Sequence, residues 1–161
     1  MKLAIGSDKS GFTLKEAVKA WLIEQGHEVE DIGTQEMDKP NPFFDVAPLV
    51  AEKIQSGEAE RGILCCGTGM GMSIVANKFQ GISAAVCESV YSAKMSRAVN
   101  DANILCMGGW YIADWLGIQM TQAFMNTEFT QDLEEWRKGW LVSAKEKVAE
   151  VEQGIYCENN S

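Results

Sequence analysis

Residues 62–72 read Gly-Ile-Leu-Cys-Cys-Gly-Thr-Gly-Met-Gly-Met, which puts a thiol, Cys66, directly before three alternating glycines, Gly67, Gly69 and Gly71. A cysteine thiolate can serve as nucleophile or base, and a helix N-terminus beside it favours the charged form. Glycines let backbone N–H groups approach an oxyanion or phosphate closely, because no Cβ stands in the way. The apolar run before Cys66 reads as a strand. Ser73 to Lys78 reads as helix, so the glycine turn delivers its amides at a helix start. The spacing is not that of a dinucleotide fingerprint, nor that of a P-loop with its lysine. The segment therefore offers a thiol beside an anion nest, with the hydroxyls of Thr68 and Ser73 close by.

Such a turn needs a scaffold, and the rest of the chain supplies one. Residues 3–7 read as a short buried strand, followed by the turn Asp8-Lys9-Ser10-Gly11. Leu14, Val18, Trp21 and Leu22 fall at helical spacing, with Gly26 as the stop. A second strand covers 28–32. A loop with Pro40, Pro42, Phe43 and Phe44 leads to a helix over about 45–55, ended by Gly57. Strands over 63–66, 82–87 and 104–107 follow, with helices over 91–99 and 112–125 and a long last helix over 133–153. This alternation predicts an α/β chain: a Rossmann-like three-layer αβα sandwich with a five-stranded parallel sheet, plus a C-terminal helix. With no internal repeat or linker, 1–161 reads as one domain, in which about 130–155 form a C-terminal helical extension. In such sheets ligands bind at the carboxyl ends of the strands, where the strand order reverses. The loops there contain Ser7-Asp8-Lys9, the Cys66 turn, Glu88-Ser89 and Gly108-Gly109.

Composition narrows the function classes. A length of 161 residues allows one well-buried core, and 46% hydrophobic with 23% charged residues is globular usage. The net charge of -9 argues against nucleic-acid and anionic-membrane partners, which need a basic footprint. No apolar run is long enough for a signal peptide or a membrane span. The 5 cysteines form no metal-type pair and the chain has 1 histidine, so the expectation is no metal and no cofactor. Cys65 and Cys66 are neighbours on a strand, point to opposite faces and make a poor disulfide. A reducing, cytoplasmic compartment fits them. Cys65, Cys87 and Cys106 read as buried small hydrophobes. His27, at the opposite end of the sheet, reads as structural.

The Cys66 segment resembles the signature of type B ribose-5-phosphate isomerases and their galactose-6-phosphate isomerase relatives. Gly6-Ser7-Asp8-Lys9-Ser10-Gly11-Phe12, Asp31-Ile32-Gly33-Thr34, Ala76-Asn77-Lys78, residues 91–97, residues 100–103 and Asn126-Thr127-Glu128-Phe129 extend the likeness in order and spacing. The resemblance implies metal-free aldose–ketose isomerisation of a small phosphorylated sugar through an enediolate. It places Cys66 as the base, with Thr68 and Asn100 as the other catalytic residues. Asp8, Gly67, Gly69, Gly71 and Ser73 would bind substrate; because the family's phosphate-holding residues are missing here, Lys9, Arg97 or Arg137 are the cations in this chain that could grip phosphate instead. It further implies a homodimer or tetramer with sites at the subunit boundary, and the apolar residues of the last helix, Trp136, Trp140, Leu141 and Val148, suit an interface.

The chain departs from that pattern at several points. The first loop has Lys9 where many members have histidine. Val99 replaces the histidine credited with opening the furanose ring, and valine moves no protons. Trp110 replaces an arginine after the paired glycines, and the phosphate-holding Gly-Gly-Arg-His…Arg stretch is absent. Proton transfer is thus expected to survive, while ring opening and phosphate capture are rebuilt or lost. The substrate expected is a small phosphorylated sugar, of the ribose 5-phosphate/ribulose 5-phosphate type or a related tetrose or hexose phosphate. The departures suit either one that needs no ring opening, such as a four-carbon sugar phosphate, or one that opens without help. The alternative is a non-catalytic sugar-phosphate-binding or regulatory subunit of a heteromeric isomerase, against which the retained thiol argues. A thiol-redox protein would need a resolving cysteine. Glu88 reads as a second candidate acid or hydroxyl acceptor, and the Phe43-Phe44 pair either lines the pocket or staples the following helix.

Overall fold

Five parallel strands lie at the centre of the molecule, and their burial explains their order. The computed structural model describes residues 1–158. In chain order the strands are β1 (Lys2–Ser7), β2 (Glu28–Asp31), β3 (Arg61–Cys66), β4 (Ala84–Val86) and β5 (Ile104–Gly108). Across the sheet they run β2-β1-β3-β5-β4. Every residue of β3 and β5 is buried, as strands covered on both faces require. β2 alternates exposed and half-buried positions, and β4 has 3 residues, two of them half-buried. These wetter strands take the edges.

The helices are α1 (Phe12–Glu24), α2 (Phe43–Gln55), α3 (Met70–Ala76), α4 (Val90–Asn100), α5 (Asp114–Met125) and α6 (Glu135–Glu158). One core packs Leu14, Val18 and Leu22 of α1 and Met120 and Phe124 of α5 against Ile5, Ile63, Cys65 and Leu105. The other packs Val46 and Val50 of α2 and Met72 and Ala76 of α3 against Ala4, Leu64, Cys66 and Cys106. The expected three-layer sandwich is therefore present. As strand geometry demands, Cys65 and Cys66 enter opposite cores. The helix read as starting near Ser73 begins at Met70, directly after the glycine turn. The fourth strand is shorter than 82–87.

α6 lies against the amino edge of the sheet. Leu141 is buried, the Gly81 N–H donates to Glu152 at 2.7 Å, Tyr156 donates to the Lys78 carbonyl at 2.6 Å, and Lys145 pairs with Asp101. Trp136, Trp140 and Val148 of this helix stay exposed. Among the described residues no helix is long and apolar enough to cross a membrane. The register pairs Gly62 with Ile104 and Cys66 with Gly108, so the amino and carboxyl ends of the two central strands are about 13 Å apart at ~3.3 Å per residue.

Candidate active site

Cys66 ends the central strand. Beside it Ser7, the last residue of β1, is in register with Cys65. From β1 the chain leaves to β2 on one side and returns to β3 on the other, so the crevice beyond Ser7 and Cys66 is the switch point at which α/β sheets bind ligands. The first loop is folded onto this crevice. The Gly11 N–H donates to Asp8 Oδ1 at 3.0 Å, an Asx-type turn. A Cβ on Gly11 would lie 2.3 Å from the Cys65 carbonyl, so only glycine lets the loop rest on the Cys65–Cys66 peptide. Asp8 is half-buried and Lys9 exposed on the same rim.

The thiol is 5% exposed, and the Gly69 N–H donates to its Sγ at 3.1 Å. Gly69 turns back to reach it with φ at +76° while acting as N-cap of α3. The amides of Gly71 and Met72, in the first turn of that helix, have no intrahelical acceptor. Thr68 Oγ1 accepts from the Met70 N–H at 3.3 Å. Phe43 packs on Gly71, where a Cβ would lie 3.1 Å from the ring, so Phe43 lines the nest. Burial, reinforced by the adjacent Cys66, pushes the Cys65 thiol up, and burial does the same to Cys106. Those two stay neutral.

The loop after β5 completes the rim. Gly109 N–H donates to the Cys66 carbonyl at 2.8 Å and Trp110 N–H to the Gly67 carbonyl at 3.0 Å. Tyr111 Oη donates to the Thr68 carbonyl at 2.6 Å. The Trp110 indole lies on Gly67, where a Cβ would come within 2.6 Å of it, and the Tyr111 ring lies on Gly108 in the same way at 2.5 Å. Burial, then the Glu88 carboxylate, raises the Tyr111 phenol above its ordinary range. Sequence reasoning singled out Trp110 and Glu88 but missed Tyr111. Its only signal was an aromatic pair directly after Gly108-Gly109.

Four expected site residues lie elsewhere. The Ser73 hydroxyl donates to the Ala84 carbonyl at 2.9 Å and accepts from Asn77 at 3.2 Å, pinning α3 to β4. Arg97 is buried, bonded to the carbonyls of Thr127 and Ala102 at 3.3 and 2.7 Å and paired with Asp101 at 2.8 Å. Its guanidinium is thus committed near the C-terminus of α4. Asn100, with Val99, lines a groove of about 700 Å³ between α6 and the amino edge, shared with Trp140 and Leu141. Arg137, in α6, pairs with Glu134 at 3.4 Å and stacks on Trp136. One chain therefore sets the first loop, which carries Asp8 and Lys9, against the turn of Cys66, Gly67, Thr68, Gly69 and Gly71, while Ser73, Arg97, Asn100 and Arg137 are engaged elsewhere.

A thiol, an amide nest and a carboxylate at the switch point of a parallel sheet define a site for proton transfer on a small anionic substrate. The family model described as Ribose/Galactose Isomerase matches residues 3–138, and the chain belongs to that family. It is 60% identical over 156 residues to the 4-deoxy-4-sulfo-D-erythrose isomerase of Clostridium sp. strain MSTE9, covering 97% of this chain and 98% of that one. Identity to ribose-5-phosphate isomerase B of Escherichia coli K12 is 41% over 128 residues, 80% of this chain and 85% of the other. Among solved structures, ribose-5-phosphate isomerase B of Clostridium thermocellum superposes with a TM-score of 0.88 at 39% identity, covering 96% of this chain and 99% of that one.

Proposed function

We propose that the protein interconverts the aldose and ketose forms of a four-carbon sugar with an anionic group on C4, and that this group is a sulfonate, the aldose being 4-deoxy-4-sulfo-erythrose. The observation that carries this reading is 60% identity over nearly the full length of both chains with the sulfoerythrose isomerase, against 41% with the pentose enzyme. Val99 supports it. A tetrose substituted at C4 has no C4 hydroxyl to close a five-membered ring, so it reacts as the open chain and needs no ring-opening group. Ribose 5-phosphate closes a ring through its C4 hydroxyl. The scarcity of arginines at the rim agrees too, since a sulfonate carries one negative charge where a phosphate monoester carries about -1.5 to -2.

In this mechanism the Cys66 thiolate removes the proton from C2 of the aldose. The electron pair of the C–H bond forms the C1–C2 double bond of an enediolate as the C1 carbonyl oxygen takes the negative charge. The proton on the C2 oxygen passes to the C1 oxygen, and the same thiol returns its proton to C1, leaving the carbonyl at C2. Amides of the Gly67–Gly71 turn take the charge developing on the sugar oxygens. Asp8 accepts from a sugar hydroxyl, and Lys9 holds the terminal anion. A second copy of the chain completes the site, giving a homodimer or a tetramer built from two such dimers. Asn100, the last residue of α4, lines the groove at the amino ends of the strands, whereas Cys66 ends β3 at the carboxyl end, so the Asn100 that serves a given thiol comes from the partner. Exposed Trp110 on one rim and exposed Trp140 beside Asn100 are the surfaces such a contact would cover. The free thiols suit a cytoplasmic setting.

The test is proton NMR in D2O with 4-deoxy-4-sulfo-erythrose, erythrose 4-phosphate and ribose 5-phosphate, for wild type and Cys66→Ala. Ketose formation from the sulfosugar, with deuterium beside the carbonyl and loss of both in Cys66→Ala, is expected. Faster turnover of ribose 5-phosphate than of either tetrose refutes the four-carbon assignment.

A further inference from the structure

We propose that Tyr111 is a positioning residue for Cys66, acting through the single peptide unit that joins Thr68 to Gly69. The proposal rests on Cys66 being the base. A trans peptide carries its C=O and N–H on opposite edges of one plane. Here the carbonyl of Thr68 accepts from Tyr111 Oη at 2.6 Å, and the amide of Gly69, on the far edge, donates to Cys66 Sγ at 3.1 Å. A donor on the carbonyl polarises the amide, so its N–H binds a charged sulfur more strongly. It also fixes a peptide plane whose Gly69 end, at φ +76°, has no side chain to hold it. The two preceding peptide units are fixed likewise by the Gly109 and Trp110 amides. Of the three bonds, that of Tyr111 alone is made by a side chain, so it alone can be removed by substitution.

The groups around the thiol leave this bond as its adjustable partner. Cys65 and Cys106 are kept neutral by burial. Asp8 and Lys9, of opposite charge, lie on the first loop, the one half-buried and the other exposed. Glu88, after β4, is a second acceptor within reach of the phenol; burial together with that carboxylate keeps the proton on Tyr111, and the short contact to the Thr68 carbonyl is the one that reaches the thiol.

Tyr111→Phe keeps the ring and deletes the donor. The readout is iodoacetamide alkylation of Cys66 across about pH 5 to 10, followed by mass mapping of the peptide carrying residue 66, because Cys157 is also exposed. Alkylation at neutral pH is expected to slow by roughly three- to tenfold, the scale of one neutral hydrogen bond. The midpoint of the profile moves to higher pH, and kcat for isomerisation falls while KM changes less than about twofold. Gly108→Ala reaches the same bond while keeping the hydroxyl. Its methyl would lie 2.5 Å from Tyr111 Cζ and 2.7 Å from Oη, so the flexible ring swings off the Thr68 carbonyl, and the same shift is expected. An unchanged profile in either folded variant overturns the proposal. Alkylation uses no sugar, so a wrong substrate leaves this result standing. Retention of isomerase activity by Cys66→Ala would instead remove the catalytic reading.

Discussion

Lys15→Met tests whether a buried charge cluster beneath the first loop holds the candidate site in place. The Lys15 side chain is 0% exposed, yet its ammonium donates to Asp31 at 2.7 Å and to the Thr34 carbonyl at 2.6 Å, and it lies 2.9 Å from Glu16. The Thr34 N–H in turn donates to the Ser7 carbonyl at 2.9 Å, so this lysine ties the loop after β2 to the residue preceding Asp8. Breaking a buried ion pair by removing one partner costs about 3–5 kcal/mol. Lys19, also 2.7 Å from Asp31, remains and keeps the loss near the lower end, about 3 kcal/mol, or about 6–12 °C in Tm for a chain of this size. Burial alone would raise the Asp31 carboxyl, but the hydrogen bonds from Lys15 and Lys19 outweigh it and hold it below its usual 3.8. The stability this confers is present above that value and lost as pH falls through the depressed one. In urea titrations the gap between wild type and Lys15→Met should thus be full at neutral pH and narrow below about pH 4. A loss under about 1 kcal/mol, or a gap that stays constant into acid, refutes the reasoning.

Lys9→Ala should raise KM for the sulfotetrose by roughly tenfold, the worth of one hydrogen bond to a charged group, with kcat nearly unchanged; steady-state kinetics showing an unaltered KM would remove Lys9 as the anion anchor. Cys66→Ala and Asn100→Ala should each be inactive alone. Refolded together in equal amounts they should recover about a quarter of wild-type activity, because half the dimers then carry one intact shared site. No recovery would show that each chain builds its site unaided.

The strands and the thiol turn were legible because burial on both faces leaves an unmistakable apolar run, as at Ile63 and Leu64, and because three alternating glycines have few structural uses. Strand order was not. That β5 lies inside β4 depends on which strand is longer and drier once packed, a comparison that local pattern does not make. The charge of Arg97 suits a phosphate ligand, but the structure spends that charge on the Thr127 and Ala102 carbonyls. Ser73 was placed by its distance from the glycines along the chain, whereas its hydroxyl turns down the helix to Ala84. Tyr111 went unnoticed because its contact with the nest spans 43 positions of sequence and follows no periodicity.

The ties between the loops after β3 and β5 have a consequence for how such a protein can diverge. Carbonyls 66, 67 and 68 take their donors from residues 109, 110 and 111 in the same order, so the two loops are matched in count, residue for residue. One insertion or deletion in either would put every later bond out of step and turn the amides away from the thiol. A lineage carrying this site is therefore free to exchange the side chains along the rim, as at Trp110, while the lengths of both loops stay frozen. New substrates enter such an enzyme by substitution alone.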